Sequence, residues 1–333
     1  MHIGDLLLVT PVLRTLRTNF PDAHIALLAD AKLADLVKYN QNISELIAID
    51  KKGRHDKLFN YIRFIHEIHQ RKFDLVINLH KNERASFIAA LSGAKKIVGY
   101  STFGPGLVFD RVIENRKRLK HQVEAHFDVL RETLGITNID DRGIEMWLDD
   151  EAEKAAAHLW QQAFPNHPRV IGLNIGASWP TKRWPKEYFA ELADRLVDEG
   201  FGIAYFGGPM DAEIVDQAIS LMKHQNHPQV VQFTGQVTLM ELAALLKKCR
   251  VFVTNDSGPM HIAVAMNIPL VSMFGASPVE GFWPYNDKSI VLKSPLPCHP
   301  CYKHSCDLGG LPCMYSITVD EVLDATLKQM EIP

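Results

Sequence analysis

The alternation of short apolar runs with amphipathic helical stretches is the feature that most restricts the fold of this chain. The apolar runs are rich in Val, Ile, Leu and Phe, and several end in Gly, Asn or Asp. They read HIALLAD, ELIAID, DLVINLH and KIVGY in the first half, and RVIGLNIG, GIAYFGG, VVQFTG, RVFVTND, PLVSMFG and SIVLKS in the second half. Near-continuous apolar strands suit parallel sheets that are covered on both faces.

Helical patterns separate these runs. They include TPVLRTLRTNF, NYIRFIHEIHQRK and ERASFIAALSG in the first half, and PKEYFAELADRLVDEG, AEIVDQAISLMKH, TLMELAALLKKC and GPMHIAVAMN in the second half. The alternation predicts an α/β protein with two doubly wound parallel-sheet units. A length of 333 residues is sufficient for two such domains.

The boundary between the two domains is predicted near residue 150. The turn-rich acidic stretch DDRGIEMWLDD precedes a helix that Asp149 and Asp150 can cap. We therefore expect an N-terminal domain over residues 1–150 and a C-terminal domain over residues 151–333, with the last helix packing back on the N-terminal domain.

The chain begins on the turn HIGD, with no room for the strand that a doubly wound unit normally has before such a turn. We therefore expect the first strand of the N-terminal domain to be missing and the natural chain to start upstream of Met1. An intact mass of the native protein that matches 333 residues would refute this expectation.

The bulk composition excludes some classes of function. The formal net charge of −3 gives no whole-chain electrostatic basis for nucleic-acid binding, so any anion site must be local. No uninterrupted apolar stretch approaches the roughly 18 residues of a transmembrane helix. The N-terminus carries Asp5 before its apolar run and lacks a basic start and a cleavage site, so it does not resemble a signal peptide. These features predict a cytoplasmic protein.

The segment TNDSGPMHIA joins a strand to a helix and is the strongest candidate site. Pro259 suits the first helical turn, and Asp256 or Ser257 can cap the helix. The backbone N–H groups and the helix dipole then favour an anion, which Gly258 allows to approach closely and which His261 can hydrogen-bond. The alternative is a capped, buried helix with a satisfied histidine. The unusually polar cap favours the anion site.

Two further loops follow predicted strands of the second half. In GASWPTKRWP, the hydroxyls of Ser178 and Thr181 and the cation of Lys182 are the groups that a diphosphate requires, although a solvated basic loop fits the pattern equally well. In FGGPMDAE, Asp211 or Glu213 could bind ribose or sugar hydroxyls. An ordinary glycine turn with a capping aspartate is the simpler interpretation of that loop.

Asp5 lies in the turn HIGD before the first helical stretch. A carboxylate there can act as a general base that takes a proton from a hydroxyl. It can also serve as a helix N-cap, which is the commoner role. Basic residues cluster in KKGRHDK and in ENRKRLKHQ, which form either a solvated face or a surface for an anionic acceptor or lipid headgroups.

Four of the five cysteines are concentrated in one loop, CHPCYKHSCDLGGLPC; they are Cys298, Cys301, Cys306 and Cys313. Four thiols this close could hold zinc in tetrahedral geometry, but only the first pair has the usual spacing. Free thiols that pack a loop are the alternative, which a reducing compartment favours over disulfides.

Together, these segments resemble glycosyltransferase family 9, the ADP-heptose:lipopolysaccharide heptosyltransferases of bacteria. The matching stretches cover almost the whole chain; they are HIGDLLLVTPVLRTLRTNFPDAHI, FDLVINLH, GASWPTKRWP, FTGQVTLMELAALLKKCRVFVTNDSGPMHIAVAMNIPLVSMFGASP and the cysteine loop that ends in CMYSIT. The resemblance implies the GT-B architecture, in which two Rossmann-like domains face a cleft. The N-terminal domain is then expected to receive the acceptor, and the C-terminal domain to hold the nucleotide sugar.

The resemblance also implies the roles of individual residues. Asp5 matches the base proposed for the family's G-D turn, and Lys182 matches the lysine of the T-K-x-W-P loop, which contacts phosphate and is expected to assist catalysis. The implied donor-binding residues are Ser178, Thr181, Lys182, Asp211, Asp256, Ser257, Gly258, Pro259 and His261, of which Asp211 is a loose match. Acceptor binding is expected from the second basic cluster, through Arg116, Arg118 and Lys120. No metal or other cofactor is expected.

The implied reaction is an inverting, metal-independent transfer of heptose from ADP-heptose to the inner core of lipopolysaccharide. The enzyme is expected to act as a peripheral protein at the cytoplasmic face of the inner membrane, with no nucleic-acid partner. Lys182 and the helix N-terminus near Gly258 would offset the charge of the leaving ADP. Two alternatives stay open: another GT-B nucleotide-sugar transferase or epimerase, and a non-catalytic sugar-nucleotide-binding protein.

Overall fold

A computed structural model describes residues 2–102, 104–114, 120–165 and 169–331 of the chain. Arg116 and Arg118, two of the predicted acceptor-binding residues, lie outside the described residues. The helices are α1 (Ile3–Leu7), α2 (Thr10–Asn19), α3 (Leu58–Gln70), α4 (Glu83–Ala90), α5 (Gln122–Leu134), α6 (Asp150–Ala163), α7 (Lys186–Asp198), α8 (Ala212–Leu221), α9 (Leu239–Leu246), α10 (Gly258–Ala265), α11 (Val279–Phe282), α12 (Pro312–Tyr315) and α13 (Val319–Met330).

Every strand predicted from the apolar runs is present. The strands are β1 (Ala26–Asp30), β2 (Glu45–Ile49), β3 (Leu75–Asn78), β4 (Lys96–Gly99), β5 (Arg111–Val112), β6 (Val170–Asn174), β7 (Gly202–Phe206), β8 (Val230–Gln232), β9 (Val251–Asn255), β10 (Leu270–Phe274) and β11 (Ile290–Lys293). All strand pairs in the described residues are parallel. The predicted α/β class with parallel sheets is therefore confirmed. β5 was not predicted, because two residues are too few to form a periodic pattern.

The chain divides into two compact units. The first, here called the N-terminal unit, contains residues 8–34 and 40–142. The second, here called the C-terminal unit, contains residues 2–7, 35–39 and 143–333. Helix α1 therefore belongs to the C-terminal unit, although it lies at the start of the sequence.

The C-terminal unit contains a six-stranded sheet in the order β11-β10-β9-β6-β7-β8. Its first strand, β6, pairs with β7 on one side and with β9 on the other. The strand order therefore reverses between β6 and β9, which is the point where doubly wound sheets bind ligands. Every residue of β6, β7, β9 and β10 is buried, as expected for strands covered by helices on both faces.

The last helix, α13, was expected to pack back on the N-terminal domain. It packs on α7 and on strands β9, β10 and β11 of the C-terminal unit, and the contact with the N-terminal domain stays a prediction. Buried Val322 lies on its inner face, and the side-chain amide of Gln329 donates hydrogen bonds to the carbonyl oxygens of Leu270 (3.3 Å) and Lys288 (2.5 Å). The helix is therefore an integral part of the layer that covers this sheet.

The N-terminal unit has smaller sheets. β1 pairs with β2, and β3, β4 and β5 form a separate three-stranded sheet among the described residues. One core cluster contains Ile47, Ile49, Phe64, Ile68 and Ile88, which come from β2, α3 and α4. Most residues of β1 and β3 are only partly buried.

Helix starts follow the capping chemistry of the sequence. The carboxylate of Asp149 accepts a hydrogen bond from the backbone N–H of Ala152 at 2.7 Å, as predicted for the start of α6. Pro185 directly precedes α7, as the prediction of a helix start at that position requires. Within the described residues, no helix has the length and apolar character needed to cross a bilayer.

Candidate functional site

Two asparagines end the neighbouring strands β6 and β9. Asn174 ends β6, and its side-chain amide nitrogen lies 3.0 Å from the Gly176 carbonyl oxygen, 3.0 Å from Thr254 Oγ1 and 3.1 Å from Ser257 Oγ. This amide therefore connects the loop after β6 with the segment after β9. Both contacted hydroxyls belong to the TNDSGPMHIA segment.

The second asparagine, Asn255, is fully buried at the end of β9. Its side-chain nitrogen donates to the Ile175 carbonyl oxygen at 2.7 Å, and its side-chain oxygen accepts from the backbone N–H of Trp184 at 2.9 Å. The indole N–H of Trp184 in turn donates to the Ile317 carbonyl oxygen at 2.8 Å. These bonds fix the loop that carries Lys182 to the carboxyl edge of the sheet.

The N-terminus of α10 has no side-chain cap. Ser257 occupies the N-cap position, but its hydroxyl makes no capping hydrogen bond because it lies against Asn174 and Thr254. The expectation that Asp256 or Ser257 caps this helix is therefore wrong. The first-turn N–H groups that a side chain would otherwise satisfy stay available to an anion.

Lys182 and Asp256 form an ion pair beside this helix start. Lys182 Nζ lies 2.7 Å from Asp256 Oδ2, and the two side chains are only 14 and 6 % exposed. The ammonium also lies 4.6 Å from the centroid of the Trp179 ring, within cation–π distance. A cation is therefore held, with its orientation restricted, one residue before the N-cap of α10.

Helix α1 packs closely on α10. A Cβ atom added at Gly4 would lie 2.6 Å from Cδ2 of His261, and one added at Gly258 would lie 2.9 Å from Cδ1 of Ile3. Both distances are shorter than ordinary Cβ contacts, so a side chain at either position would force the contacted group to shift. The contact places Asp5 of α1 on the C-terminal unit, next to the TNDSGPMHIA segment.

His261 is buried and neutral in this arrangement. Burial lowers its pKa below the ordinary value, while the nearby carboxylates of Asp256 and Asp5 act in the opposite direction and Lys182 reinforces the lowering. Among the described residues, no hydrogen-bond partner lies within reach of its Nδ1 atom. A buried imidazole with one uncommitted nitrogen is suited to bind a polar ligand group.

Asp5 lies in the first turn of α1 rather than in a turn before a longer helix, so the predicted local structure was wrong at this point. Its carboxylate is partly buried and accepts a hydrogen bond from the backbone N–H of His2 at 2.8 Å. The second carboxylate oxygen makes it possible to bind a hydroxyl at the same time. The stabilising role of an acidic residue at a helix start and the role of a base are thus compatible here.

Two predicted donor residues have other contacts, and a third is exposed. Thr181 is buried and donates its hydroxyl hydrogen to the Lys303 carbonyl oxygen at 2.6 Å, whereas Ser178 is exposed. Asp211 accepts from the backbone N–H of Gly208 at 2.9 Å, which is the structural role that the glycine-turn interpretation expected. Donor binding by these three side chains stays a prediction.

The cysteine loop contacts the segment GASWPTKRWP, which carries Lys182. The His304 ring lies on the Trp179 ring with a centroid distance of 4.0 Å, and the backbone N–H of Tyr302 donates to the Ala276 carbonyl oxygen at 2.8 Å. In the part of the chain that the structure describes, no group of three or more His, Cys, Asp or Glu side chains is placed to hold a metal. Cys313 is buried, and burial raises its pKa, so its thiol stays protonated.

Sequence reasoning missed several residues of this site. Asn174, Asn255, Thr254 and Trp179 contribute hydrogen bonds or a ring that fix the predicted residues. The available signal was that two apolar strands, VIGLN and VFVTN, both end in asparagine. Lys120, a predicted acceptor residue, lies in the N-terminal unit with its ammonium 2.5 Å from the Asp128 carboxylate.

This chain combines a doubly wound unit, which has an open helix N-terminus at its switch point, with a second parallel α/β unit. That combination is the architecture of a GT-B glycosyltransferase. Solved structures agree with this class. A glycosyl transferase of family 9 from Veillonella parvula DSM 2008 is 33 % identical, with a TM-score of 0.91 over 99 % of this chain and 95 % of the other. The Escherichia coli ADP-heptose lps heptosyltransferase II shares the fold, with 22 % identity and a TM-score of 0.81 over 99 and 96 % of the two chains.

The sequence model of glycosyltransferase family 9 (heptosyltransferase) matches residues 61–311. The chain therefore belongs to glycosyltransferase family 9 and is a glycosyltransferase. It is also 24 % identical to the lipopolysaccharide heptosyltransferase 2 of Escherichia coli strain K12 over 339 aligned residues, which cover 97 % of this chain and 94 % of that relative. The family predicted from the sequence motifs is confirmed.

Proposed function

We propose that this glycosyltransferase transfers heptose from ADP-heptose to the inner core of lipopolysaccharide, with inversion and without a metal ion. The open N-terminus of α10 beside Lys182 is the observation that carries this proposal. Two relatives from Escherichia coli, an ADP-heptose lps heptosyltransferase and a lipopolysaccharide heptosyltransferase, support the choice of donor and acceptor.

The diphosphate of the donor is expected to bind at the start of α10. The free first-turn N–H groups and the helix dipole favour a negative charge there, and Gly258 has no side chain that would block it. The Lys182 ammonium, held by Asp256, adds a charge-assisted hydrogen bond to a phosphate oxygen. These groups stabilise the negative charge that develops on ADP as it leaves, which is the role of a metal ion in other transferases.

Asp5 is expected to act as the general base. In the proposed step, the acceptor hydroxyl oxygen attacks the anomeric carbon of heptose while the bond from that carbon to the diphosphate breaks. The hydroxyl proton passes to the Asp5 carboxylate, and ADP leaves with the bonding electron pair. Attack on the face opposite the leaving group inverts the configuration, through an oxocarbenium-like transition state. The uncommitted Nδ1 of His261 is available to a sugar hydroxyl or phosphate oxygen.

The acceptor is lipid-anchored, so the enzyme must work at a membrane surface. Helix α3 of the N-terminal unit exposes Leu58, Phe59 and Ile62 by 73, 76 and 56 %. The basic stretch KKGRHDK directly precedes this helix. An exposed apolar helix face beside lysines and arginines is the combination that binds anionic lipid headgroups. We therefore assign this face to contact with the cytoplasmic leaflet of the inner membrane.

The membrane assignment predicts a specific loss. Phe59→Ser should reduce co-sedimentation with vesicles that contain phosphatidylglycerol, because it removes the largest exposed apolar group of the patch. Met210→Ser is the control, since Met210 is 95 % exposed but lies on the C-terminal unit. Equal vesicle binding by both variants would contradict the assignment.

The function is tested by calorimetric titration with ADP, UDP and GDP in the absence of divalent metal, followed by a transfer assay on heptose-deficient lipopolysaccharide. The proposal expects selective ADP binding, weakened by Lys182→Met, and release of ADP only when acceptor is present. Preference for UDP or GDP would indicate another GT-B enzyme. ADP binding without any transfer would indicate a sugar-nucleotide-binding protein.

A further inference from the structure

A second group of basic side chains lies in the N-terminal unit, at the carboxyl ends of two parallel strands. His80 and Lys81 follow β3, and Tyr100 follows β4 directly. The start of α5 supplies the other members, which are His121, Gln122 and His126. The carboxyl edge of a parallel sheet is where α/β folds bind ligands, so the location is suitable for a site.

Two buried neutral side chains contact Lys81. Its ammonium lies 4.3 Å from the centroid of the Tyr100 ring and donates a hydrogen bond to Gln122 Oε1 at 3.2 Å. The Tyr100 hydroxyl is itself fixed by donation to the Ala125 carbonyl oxygen at 2.8 Å. Lys81 and His80 are only partly buried, so a ligand can reach them, whereas Tyr100 and Gln122 are buried. A preoriented, accessible lysine is a binding group rather than a solvated surface charge.

The electrostatic environment of this group is positive. His126 is 3 % exposed, and burial lowers its pKa to about 3. Lys81, His121 and His80 each lower that pKa further, which is the effect of positive neighbours. The 13-residue helix α5 starts at the same place and adds the positive end of its dipole, which Glu124 in its first turn offsets in part.

The geometry points to a binding site for an acidic group, a phosphate or a carboxylate, of the acceptor sugar, with Lys81 as the central ligand and the accessible His80 beside it. This inference rests on the proposed function only in taking the acceptor to be an anionic sugar. The site differs from the predicted acceptor cluster, in which Lys120 is paired with Asp128. Lys81 thereby becomes a specificity-determining residue for the acceptor, separate from the donor site.

Direct binding is the first test. The full-length protein is saturated with ADP so that the donor site is filled, and inorganic phosphate is titrated while the histidine ring signals are followed by NMR. We expect saturable shifts of the His80, His121 and His126 signals, assigned with single His→Gln variants, and a dissociation constant that rises about tenfold or more in Lys81→Met. Lys95→Met is the matched control, because Lys95 is an exposed lysine of the same unit, 2.6 Å from Asp74.

Equal phosphate affinity in Lys81→Met and Lys95→Met would overturn the site, provided that both variants keep the circular dichroism spectrum and the melting temperature of the wild type. So would shifts that do not saturate, because they would show an adventitious ion only. Failure of ADP to bind would instead count against the proposed function, and the phosphate titration would still report on the site by itself.

Acceptor kinetics separate the two possible acidic groups. Lys81→Met should raise KM for lipopolysaccharide about tenfold or more while leaving kcat and the donor KM within about twofold of wild type. If phosphatase treatment of the acceptor removes this difference, the bound group is a phosphate. If the difference persists, it is a carboxylate. An unchanged acceptor KM in Lys81→Met would overturn the proposal.

Discussion

The two units bury their strands to different depths. Every residue of the four central strands in the C-terminal unit is buried, whereas β1 and β3 of the N-terminal unit are mostly half-buried. Local stability follows the number of buried apolar contacts, so the C-terminal unit should be the more resistant of the two. The proposed donor site thus lies at the strand ends of the unit that is expected to be the more resistant.

Two lysines, one in each unit, also differ in burial: the lysine of the C-terminal unit is the more buried. Lys182 is mostly buried and paired with the Asp256 carboxylate. Lys81 is partly exposed and contacts an amide oxygen and an aromatic ring. A buried charge needs its partner for stability, whereas a half-exposed one does not. The lysine of the C-terminal unit therefore has a structural role in addition to its proposed binding role.

Asp5→Asn tests whether the catalytic base lies in the C-terminal unit. Of the changes considered, it should have the largest effect on turnover. Removal of a general base is expected to lower turnover about 10²- to 10⁴-fold while ADP affinity stays unchanged. Steady-state transfer rates and ADP calorimetry measure the two quantities. Asp216→Asn, at an exposed position of α8, is the control. Wild-type turnover in Asp5→Asn would show that the base lies elsewhere.

Lys182→Met sharpens the comparison of the two lysines. It leaves the Asp256 carboxylate buried without its cation, which should cost about 3–5 kcal/mol of stability in the C-terminal unit. The double variant Lys182→Met/Asp256→Asn should recover most of this loss but not the affinity for ADP. Lys81→Met should change the stability of the N-terminal unit by less than about 1 kcal/mol. Native-state hydrogen exchange resolves the units separately, and equal losses in both would break the comparison.

A matched pair of valine truncations tests the difference in burial. Val253 of β9 is fully buried, whereas Val76 of β3 is partly buried. Val253→Ala should cost about 2 kcal/mol or more, because two methyl groups and a cavity are involved, and Val76→Ala less than about 1 kcal/mol. Denaturant titration read by hydrogen exchange in each unit gives both values. A larger loss at Val76 would reverse the ranking of the two sheets.

Acid should weaken the N-terminal unit through His126. Its pKa in the folded protein is about 3, below the ordinary value of 6.5, so the unfolded chain takes up the proton first as the pH falls. The stability that this residue contributes is therefore complete above pH 6.5 and is lost towards pH 3, by about 1.4 kcal/mol per pH unit. Urea titrations at pH 6.5 and 5 should show a smaller loss for His126→Gln than for the wild type. Identical losses would mean that His126 is protonated in the fold.

Most of the fold was predictable because strand and helix periodicity is a local property of sequence. The TNDSGPMHIA segment was predictable for the same reason, since its cap residues, proline and glycine are adjacent in the chain. The five-residue helix α1 was not, because it is shorter than two turns and gives no periodic signal. Its membership in the C-terminal unit depends on the fit of Gly4 against His261, which only the folded chain shows.

Competition between hydrogen-bond partners also escaped prediction. Ser257 is a good N-cap residue by type, but the amide of Asn174 comes from a strand that is 83 residues away in sequence. The pairing of Lys182 with Asp256 likewise joins two loops that the sequence separates. Local chemistry therefore identified the candidate residues, and the order of the strands decided what each of them contacts.

The asparagines that end β6 and β9 have a consequence for how this enzyme responds to its medium. Carboxamides neither gain nor lose a proton at any pH at which proteins fold. The side-chain amides that join Asn174 to Thr254, and Asn255 to Trp184, therefore do not titrate. A change of rate with pH then reports on other groups, among them those proposed to touch the substrates.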